Sequence, residues 1–476
     1  MNISPSTIEQ ATWRELFSGK NGLKAIALAA GVILHATDVF LATTIMPSVI
    51  DDIGGLAFYS WATTVYVVAA IIGSVLSSRN LLKKGPKISY REAILLFITG
   101  AILCAIAPYM YILLIGRFIQ GIGGGLLFAL SYAMVNVVFE KRLWPRAMAL
   151  ISAMWGVATF IGPFIGGVYA EYSHWRMAFI TLGGIALGLL FLTEKILPKK
   201  LEVINEKSAL PWAQLLLITL AALAVSAGAA NQHMIWNLAG ILAAVILLSW
   251  MIRIDKTADN RLLPKGSYNL GKTLGATYVV IALINSSTAV EIYIPYFFKV
   301  IHQYSPLLAG YLTVLIAVGW TTASILFSGI ASHQVRRFIF IGLGVIFTGL
   351  CGLAIIMPSQ DLSNTVFMIL ISVSLIMIGM GIGIGWPHLL TRVLTFAPKD
   401  EGEKASASIT TVQLLATAIA TAFAGLVVNL TGLVNPGGLA GTQNAAAWLF
   451  SIFALAPFAT FFLLLFTWKN KKDKTD

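Results

Sequence analysis

The chain has 476 residues, of which 58% are hydrophobic and only 11% are charged. Water-soluble domains are roughly half apolar and about a quarter charged, so this composition excludes an ordinary soluble enzyme or binding domain. The net charge of +12 would suit nucleic acid only if the basic residues formed one patch, and their positions along the chain decide that question.

Fourteen segments are apolar over about 20 residues, the length a helix needs to cross a bilayer. The predicted spans, numbered 1 to 14, are residues 24–48, 58–78, 90–109, 111–138, 145–170, 176–196, 211–229, 234–252, 273–298, 306–330, 337–357, 364–390, 405–430 and 444–468. The longest connections, roughly 190–210 and 253–272, are too short for a soluble domain. The sequence therefore predicts an all-α polytopic membrane protein.

Lysine and arginine alternate between the two sides of this topology. If the N-terminus is cytoplasmic, basic residues should concentrate in the tails and in every second loop. These segments hold 29 of the 32 basic residues, and the others are Arg117, Arg176 and Lys299. The charge therefore predicts a multi-pass protein of the cytoplasmic (inner) membrane, with both termini in the cytoplasm and no nucleic-acid partner.

The sequence repeats weakly across its length, as in many transporter folds. Spans 5 and 13 are both rich in small residues, and spans 4 and 12 share closely spaced glycines, at positions 121, 123, 124 and 125 and at positions 379, 381, 383 and 385. The repeat predicts two six-helix halves, residues 1–200 and 261–476, with an inserted helix pair in residues 201–260.

Two acidic residues lie well inside spans, away from the loops, tails and span ends that hold the others: Asp38 in span 1 and Glu291 in span 9. A charge near the bilayer centre costs roughly 2.5–3.5 kcal/mol on insertion scales, so such residues usually face a protein interior or a cavity. Helical spacing places His35 beside Asp38, and Ser287 and Thr288 beside Glu291. We expect both carboxyl groups to line one cavity and to carry protons, since burial favours the neutral acid. The alternative is a structural carboxylate satisfied by hydrogen bonds.

Arg117 in span 4, with Gln120 one turn later, is the expected partner of Asp38. Two interpretations stay open, a fixed structural salt bridge and a switch that releases the proton. His35 is likewise either a packed polar residue or a relay. The expected proton-coupling residues are Asp38, Glu291 and Arg117. The expected substrate-binding residues are Asp38, Glu291, His35, Gln120, Trp155 and Tyr293.

Residues 266–273, Gly-Ser-Tyr-Asn-Leu-Gly-Lys-Thr, fit the phosphate-loop pattern of nucleotide-binding proteins. That motif follows a strand in a soluble α/β core, whereas here a basic loop leads directly into span 9. We therefore expect no nucleotide partner. The sequence contains neither a zinc-type H-E-x-x-H motif nor a G-x-S-x-G nucleophile turn, and it predicts no enzyme, metal site or cofactor.

Motifs in spans 1, 4, 5 and 9 together match the pattern of a known family. Asp38 is followed nine residues later by Pro47, and Gly116-Arg117 opens a glycine-rich basic motif in span 4. Span 5 carries Gly156, Gly162, Pro163, Gly166 and Gly167, and span 9 continues as Tyr293-Ile-Pro295. These motifs resemble those of the fourteen-span drug:proton antiporters of the major facilitator superfamily over nearly the whole chain, and span 5 is similar to the family's antiporter motif G-x-x-x-G-P-x-x-G-G. The resemblance implies the major facilitator fold, alternating access, and substrate export driven by the proton gradient without a cofactor.

One loop departs from the family pattern. Between spans 2 and 3 the family usually has G-x-L-x-D-R-x-G-R, but this chain has Gly73-Ser-Val-Leu-Ser77-Ser78-Arg79, with serine in place of the acid. The related loop Gly329-Ile-Ala-Ser332-His333 also lacks the acid. Gating is therefore expected to rest on other contacts.

Three functions fit these observations. The first is a proton-coupled exporter of amphipathic, cationic drugs or toxic compounds, since a lipophilic cation suits carboxylates in an aromatic cavity. The second is an exporter dedicated to one endogenous metabolite, such as a siderophore. The third is a membrane sensor that transports nothing. The expected partners are a small-molecule substrate, protons and the lipid bilayer, with the protein as a monomer.

Overall fold

The computed structural model describes residues 12–172, 174–198, 211–231, 233–327, 330–331, 333–360, 364–398 and 401–467. Within these residues, fourteen helices are long and apolar enough to cross a membrane, which confirms the predicted all-α membrane fold and its number of spans. They are α1 (Gly19–Ile53), α2 (Trp61–Lys84), α3 (Pro86–Ala105), α4 (Met110–Val138), α5 (Trp144–Tyr172), α6 (Trp175–Ile196), α7 (Trp212–Ala229), α8 (Met234–Thr257), α9 (Thr273–His302), α10 (Pro306–Phe327), α11 (Val335–Ile356), α12 (Asn364–Phe396), α13 (Gly402–Leu430) and α14 (Gly438–Thr467).

For description, α1–α6 form the N-terminal half and α9–α14 the C-terminal half. The end of the bundle at which α1 begins and α14 ends is the near end, and the opposite end is the far end. A short helix, Trp13–Phe17, precedes α1 at the near end and was not predicted. Thr12 caps it, because its hydroxyl accepts a hydrogen bond from the Glu15 backbone N–H at 3.3 Å.

The repeated glycines of α4 and α12 allow close helix packing. A Cβ on Gly121 would lie 2.4 Å from the Tyr66 carbonyl oxygen, and one on Gly379 would lie 1.8 Å from the Ile316 carbonyl oxygen. Neither position can accept a side chain without separating the helices. Small residues at helix contacts are the usual basis of packing within a bilayer, and these glycines have that role here.

Helix α9 is not a continuous α-helix. It consists of Thr273–Ser286, a 3₁₀ segment Ser287–Ile292 and a second α-helical segment Ile294–His302. A 3₁₀ helix has 3.0 residues per turn, so Glu291 aligns with Thr288 rather than with Ser287. The predicted shared face of Glu291 and Ser287 is therefore wrong. The Ser287 hydroxyl instead donates to the Leu283 carbonyl at 3.4 Å.

Helix α7 lies against α2 of the N-terminal half and α13 of the C-terminal half, while α8 packs on α7. The indole N–H of Trp61 donates to the Ser226 carbonyl at 3.0 Å. At the far end, the Asn429 side chain donates to the Ala229 carbonyl at 2.9 Å and to the Ala57 carbonyl at 3.1 Å. One asparagine of α13 thus joins the two halves and α7.

Candidate functional site

A buried charge pair joins α1 to α4. Asp38 and Arg117 are both fully buried, and the Arg117 Nη1 lies 2.6 Å from the Asp38 Oδ2. Gln120 donates its Nε2 to the other carboxylate oxygen at 2.9 Å and accepts from Arg117 Nη1 at 2.9 Å. The structure therefore brings together Arg117 and Gln120, associated by their spacing, and Asp38, the expected partner of Arg117. Both oxygens of Asp38 are hydrogen-bonded within the N-terminal half.

The Arg117 guanidinium is enclosed on its other sides. Its Nε donates to the Ala62 carbonyl at 3.3 Å, and the Tyr66 ring lies beneath it with 4.1 Å to the ring centroid. Its Nη2 is buried without a hydrogen-bond partner among the described residues. An unpaired donor on a buried cation is costly, so Arg117 retains the capacity to bind one more acceptor.

An aromatic cluster continues from the charge pair. The Tyr66 hydroxyl lies 2.8 Å from His35 Nδ1, and the His35 ring stacks on Phe128 with 5.2 Å between centroids. Trp155 of α5 meets His35 edge-on at 6.0 Å and Phe40 at 6.5 Å. Two predicted substrate-binding residues, His35 and Trp155, therefore lie together, and Tyr66 connects them to Arg117.

Glu291 lies in a small cavity between the two halves. The lining residues are Phe40, Thr43 and Thr44 of α1, Pro163 of α5, Glu291 and Pro295 of α9, and Gly310, Thr313 and Val314 of α10. None of these side chains is basic. In the part of the chain that the structure describes, no hydrogen bond or ion pair reaches the Glu291 carboxyl group.

The two membrane carboxyl groups occupy different sites in this conformation. Asp38 is enclosed by Arg117 and Gln120 and does not line the cavity of Glu291. The prediction that both line one cavity is therefore wrong for this conformation. The connection between the sites is through α1, because Phe40 contacts Trp155 on one side and lines the cavity on the other.

The antiporter-like motif packs α5 against α1 of its own half and against α10 of the opposite half. A Cβ on Gly162 would lie 2.6 Å from a side-chain atom of α1, and one on Gly166 would lie 3.1 Å from a backbone carbonyl of α1. A Cβ on Gly167 would lie 2.7 Å from the Cα of Leu307 in α10, which belongs to the opposite half. Gly156 has open space around it. Gly167, at the far-end side of the motif, therefore sets how closely α5 and α10 of the two halves approach.

The halves also meet through aromatic rings and charges at the far end. Tyr59 stacks on Tyr293 with 4.8 Å between ring centroids and meets Tyr296 edge-on at 5.4 Å. Lys299 of α9 forms an ion pair with Asp51 of α1. Tyr293 is thus almost fully buried between the halves. Sequence reasoning missed the ion pair, although Lys299 stood out as one of few basic residues outside the alternate loops.

The sequence model of the Major Facilitator Superfamily matches residues 28–421. This chain belongs to the Major Facilitator Superfamily. A relative from Mycobacterium tuberculosis, described as a probable multidrug-efflux transporter, is 34% identical over 466 residues, which cover 95% of this chain and 96% of the relative. Multidrug resistance protein 3 of Bacillus subtilis is 24% identical over 357 residues, which cover 72% of this chain and 69% of the relative.

Solved structures of other facilitators share the fold. A D-xylose–proton symporter superposes with a TM-score of 0.66 at 15% identity, covering 95% of this chain and 99% of the symporter. A POT family transporter bound to 5-aminolevulinic acid gives 0.67 at 15% identity, covering 97% and 99%. The family predicted from the motifs is confirmed. Major facilitators are transporters, which are generally not enzymes and generally use ion gradients rather than cofactors.

In this facilitator, residues 73–79 lie inside α2 rather than in the loop after it, and Ser77 stands at the position where the family pattern has an acid. Ser77 is buried, and its hydroxyl donates to the Ser74 carbonyl at 2.6 Å within α2 itself. The nearby acid is Glu92 of α3, which pairs with Lys84 at 2.8 Å inside the same half. The related loop after α10 includes residues outside those described, Ser332 among them.

Proposed function

We propose that this protein is a proton-coupled exporter of amphipathic, cationic drugs or toxic compounds. It works by alternating access across the cytoplasmic membrane, with both termini in the cytoplasm, and draws its energy from the proton gradient as a monomer without a cofactor. Support comes from the superfamily, from relatives described as multidrug-efflux transporters, and from the position of Glu291. The Glu291 cavity, built by both halves, is the observation that carries the proposal.

Glu291 requires a counter-charge when it is ionised. A buried carboxylate without a partner costs several kcal/mol, so the group is favoured either as the neutral acid or beside a cation. A proton and a cationic substrate therefore compete for the same carboxyl group, and this competition is the basis of exchange. The apolar walls at Phe40, Pro163 and Val314 suit the hydrophobic part of an amphipathic compound.

Asp38 supplies the second proton-coupling group in this proposal. Protonation of its carboxylate weakens the ion pair with Arg117, and the guanidinium then needs another acceptor in the buried interior. Two further polar features belong to the same cluster. The Arg117 Nη2 has no hydrogen-bond partner among the described residues, and the Tyr66 hydroxyl is hydrogen-bonded to His35. Arg117 is thereby the residue through which proton binding at Asp38 alters the helix contacts of the N-terminal half.

The halves, residues 1–200 and 261–476, are the moving units of the proposed mechanism, with the inserted pair in residues 201–260. The described conformation has the far end closed by the Tyr59–Tyr293 stack, the Asp51–Lys299 ion pair and the contact of Gly167 with α10. Export requires these contacts to separate. Opening at the far end also divides the walls of the Glu291 cavity, which releases a substrate to the outside.

The test is substrate-induced proton movement in proteoliposomes that contain a pH-sensitive dye. Wild type, Glu291→Gln and Asp38→Asn are compared against lipophilic cations and neutral amphiphiles, with Asp259→Asn in an exposed loop as the matched control. We expect proton flux with the cations in wild type and in Asp259→Asn, and loss of flux in the other two variants.

Each other outcome has a definite meaning. Flux retained in both Glu291→Gln and Asp38→Asn contradicts the assignment of the proton-coupling groups. Flux with only one compound of the panel favours the dedicated exporter of a single metabolite. A wild-type protein that gives no flux with any compound favours the non-transporting sensor and contradicts the proposed function.

A further inference from the structure

The loop between α8 and α9, residues 258–272, contains the segment that fits the phosphate-loop pattern. In the structure this segment is a series of turns. The Ser267 backbone N–H donates to the Pro264 carbonyl at 3.2 Å, that of Asn269 to Gly266 at 3.1 Å, and that of Lys272 to Asn269 at 3.0 Å. These amides are already engaged, so they do not cradle the phosphates of a nucleotide.

A buried carboxylate organises this loop. Asp255, near the end of α8, is fully buried, and its oxygens accept hydrogen bonds from the Leu262 backbone N–H at 2.7 Å and the Tyr268 hydroxyl at 2.7 Å. The Gln214 side chain of α7 donates to it at 3.2 Å, and the Leu263 backbone N–H at 3.3 Å. The loop is therefore a fixed structure anchored on the inserted helix pair. Asp255 was not singled out from the sequence.

The anchored loop encloses a pocket with three basic side chains, Lys256, Arg261 and Lys265. The Arg261 Nε donates to the Ala258 carbonyl at 3.0 Å, which holds the guanidinium group at the loop. No acidic side chain of the described residues forms an ion pair with any of the three.

Two carboxylates beside this pocket, Asp255 and Glu401, already have hydrogen-bond or ion-pair partners. Asp255 lines the pocket, but its oxygens are occupied by the four donors described above. Glu401 accepts from the Lys265 backbone N–H at 2.6 Å and lies 3.6 Å from the Lys404 ammonium group. The pocket lining therefore has three cations against the one carboxylate of Asp255, whose oxygens are already hydrogen-bonded, and the pocket is positive overall.

The surface beside the pocket is apolar and faces outward. Helix α8 presents a row of large side chains that are each more than half exposed, namely Ile235, Trp236, Leu238, Leu242, Val245, Ile246 and Trp250. This row ends at the near end, where α8 runs into the basic loop. A positive pocket at the end of an apolar, membrane-facing helix matches the two parts of a phospholipid, a charged headgroup and its acyl chains.

We propose that Lys256, Arg261 and Lys265 bind the phosphate headgroup of an anionic phospholipid, whose acyl chains lie along α8. Basic pockets between transmembrane helices bind such headgroups, and each lysine or arginine near an anionic surface contributes about fivefold in affinity. Loss of all three basic groups therefore lowers the affinity on the order of 100-fold. The lipid fixes the inserted helix pair to the C-terminal half at the near end.

The test measures lipid binding to the purified full-length protein by native mass spectrometry, with phosphatidylglycerol and phosphatidylcholine of identical acyl chains. The variant Lys256→Gln/Arg261→Gln/Lys265→Gln is compared with Lys20→Gln/Lys83→Gln/Arg337→Gln. This control removes three exposed near-end cations outside the pocket. We expect wild type and the control to retain phosphatidylglycerol in preference to phosphatidylcholine, and the pocket variant to lose this preference.

Two further arms separate the sources of phosphate and guard against misfolding. Thermal unfolding of wild type is measured with inorganic phosphate and, separately, with phosphatidylglycerol at the same concentration. If phosphate raises the Tm as much as phosphatidylglycerol does, the pocket is a small-anion site and the lipid assignment is overturned. The single change Arg261→Gln should weaken phosphatidylglycerol about fivefold. Equal losses in the pocket variant and the control would show general surface attraction and refute the proposed site.

Discussion

Replacement of Gly167 by alanine should shift the protein away from the conformation closed at the far end. The added Cβ would lie 2.7 Å from the Leu307 Cα, a backbone atom that cannot rotate away. Overpacking of this kind costs about 1–3 kcal/mol. The higher helix propensity of alanine stabilises α5 in both conformations and cancels from their equilibrium. The ratio of open to closed molecules should therefore rise about 5- to 150-fold.

Electron paramagnetic resonance measures this shift directly. Spin labels are placed at Tyr172 and Leu439, exposed far-end positions in the two halves, after the two native cysteines are replaced by alanine. The matched control is Gly156→Ala, the same substitution in the same helix and motif, at a position with open space around it. A longer far-end distance in Gly167→Ala alone is the expected result. If Gly167→Ala leaves the distance distribution unchanged, or if Gly156→Ala shifts it equally, the contact with α10 does not set the approach of the halves.

Substitutions at three other contacts test the interactions that the structure assigns. Asp38→Asn leaves Arg117 buried without a counter-charge and should lower the free energy of unfolding by about 3–5 kcal/mol, more than the double change with Arg117→Gln, as measured by denaturant titration in mixed micelles. Asp51→Asn and Lys299→Gln should each weaken far-end closure by about 0.2–1 kcal/mol because the ion pair is partly exposed, and exchange of the two residues should restore the far-end distance distribution. Tyr66→Phe should cost about 1 kcal/mol of stability through one lost hydrogen bond. Tyr66→Leu should cost more because it also removes the ring beneath the guanidinium, and equal losses in the two variants would contradict that contact.

The spans and the Asp38 cluster could be predicted because they depend on local rules. Length and hydropathy define a membrane helix, and a spacing of three residues places Gln120 beside Arg117 on one face of α4. A buried arginine requires an acceptor, and Asp38 was the acid available at a similar depth in the same half. Sequence reasoning therefore anticipated this cluster, although it did not anticipate that Tyr66 would connect Arg117 to His35.

The environment of Glu291 could not be predicted in the same way. Its cavity combines four helices from two halves, and no periodicity within one helix reports such an arrangement. The 3₁₀ segment of α9 also breaks the spacing on which the predicted neighbours depended. The ion pair between Asp51 and Lys299 depends on how the halves meet, a tertiary property that the positions of single charges only suggest.

The two membrane carboxyl groups differ in what a movement of the halves would change. Asp38 is bound by Arg117 and Gln120, and all three lie on α1 and α4 of one half, so rigid-body motion leaves their hydrogen bonds intact. The walls around Glu291 come from α1 and α5 on one side and α9 and α10 on the other, so the same motion takes that cavity apart. Glu291 is therefore the carboxyl group whose surroundings depend directly on conformation. If the proposed coupling is correct, the distance between the far-end spin labels at Tyr172 and Leu439 should change with pH in the protein with Glu291, and Glu291→Gln should abolish this change. Asp38→Asn should instead act first on the stability of the N-terminal half.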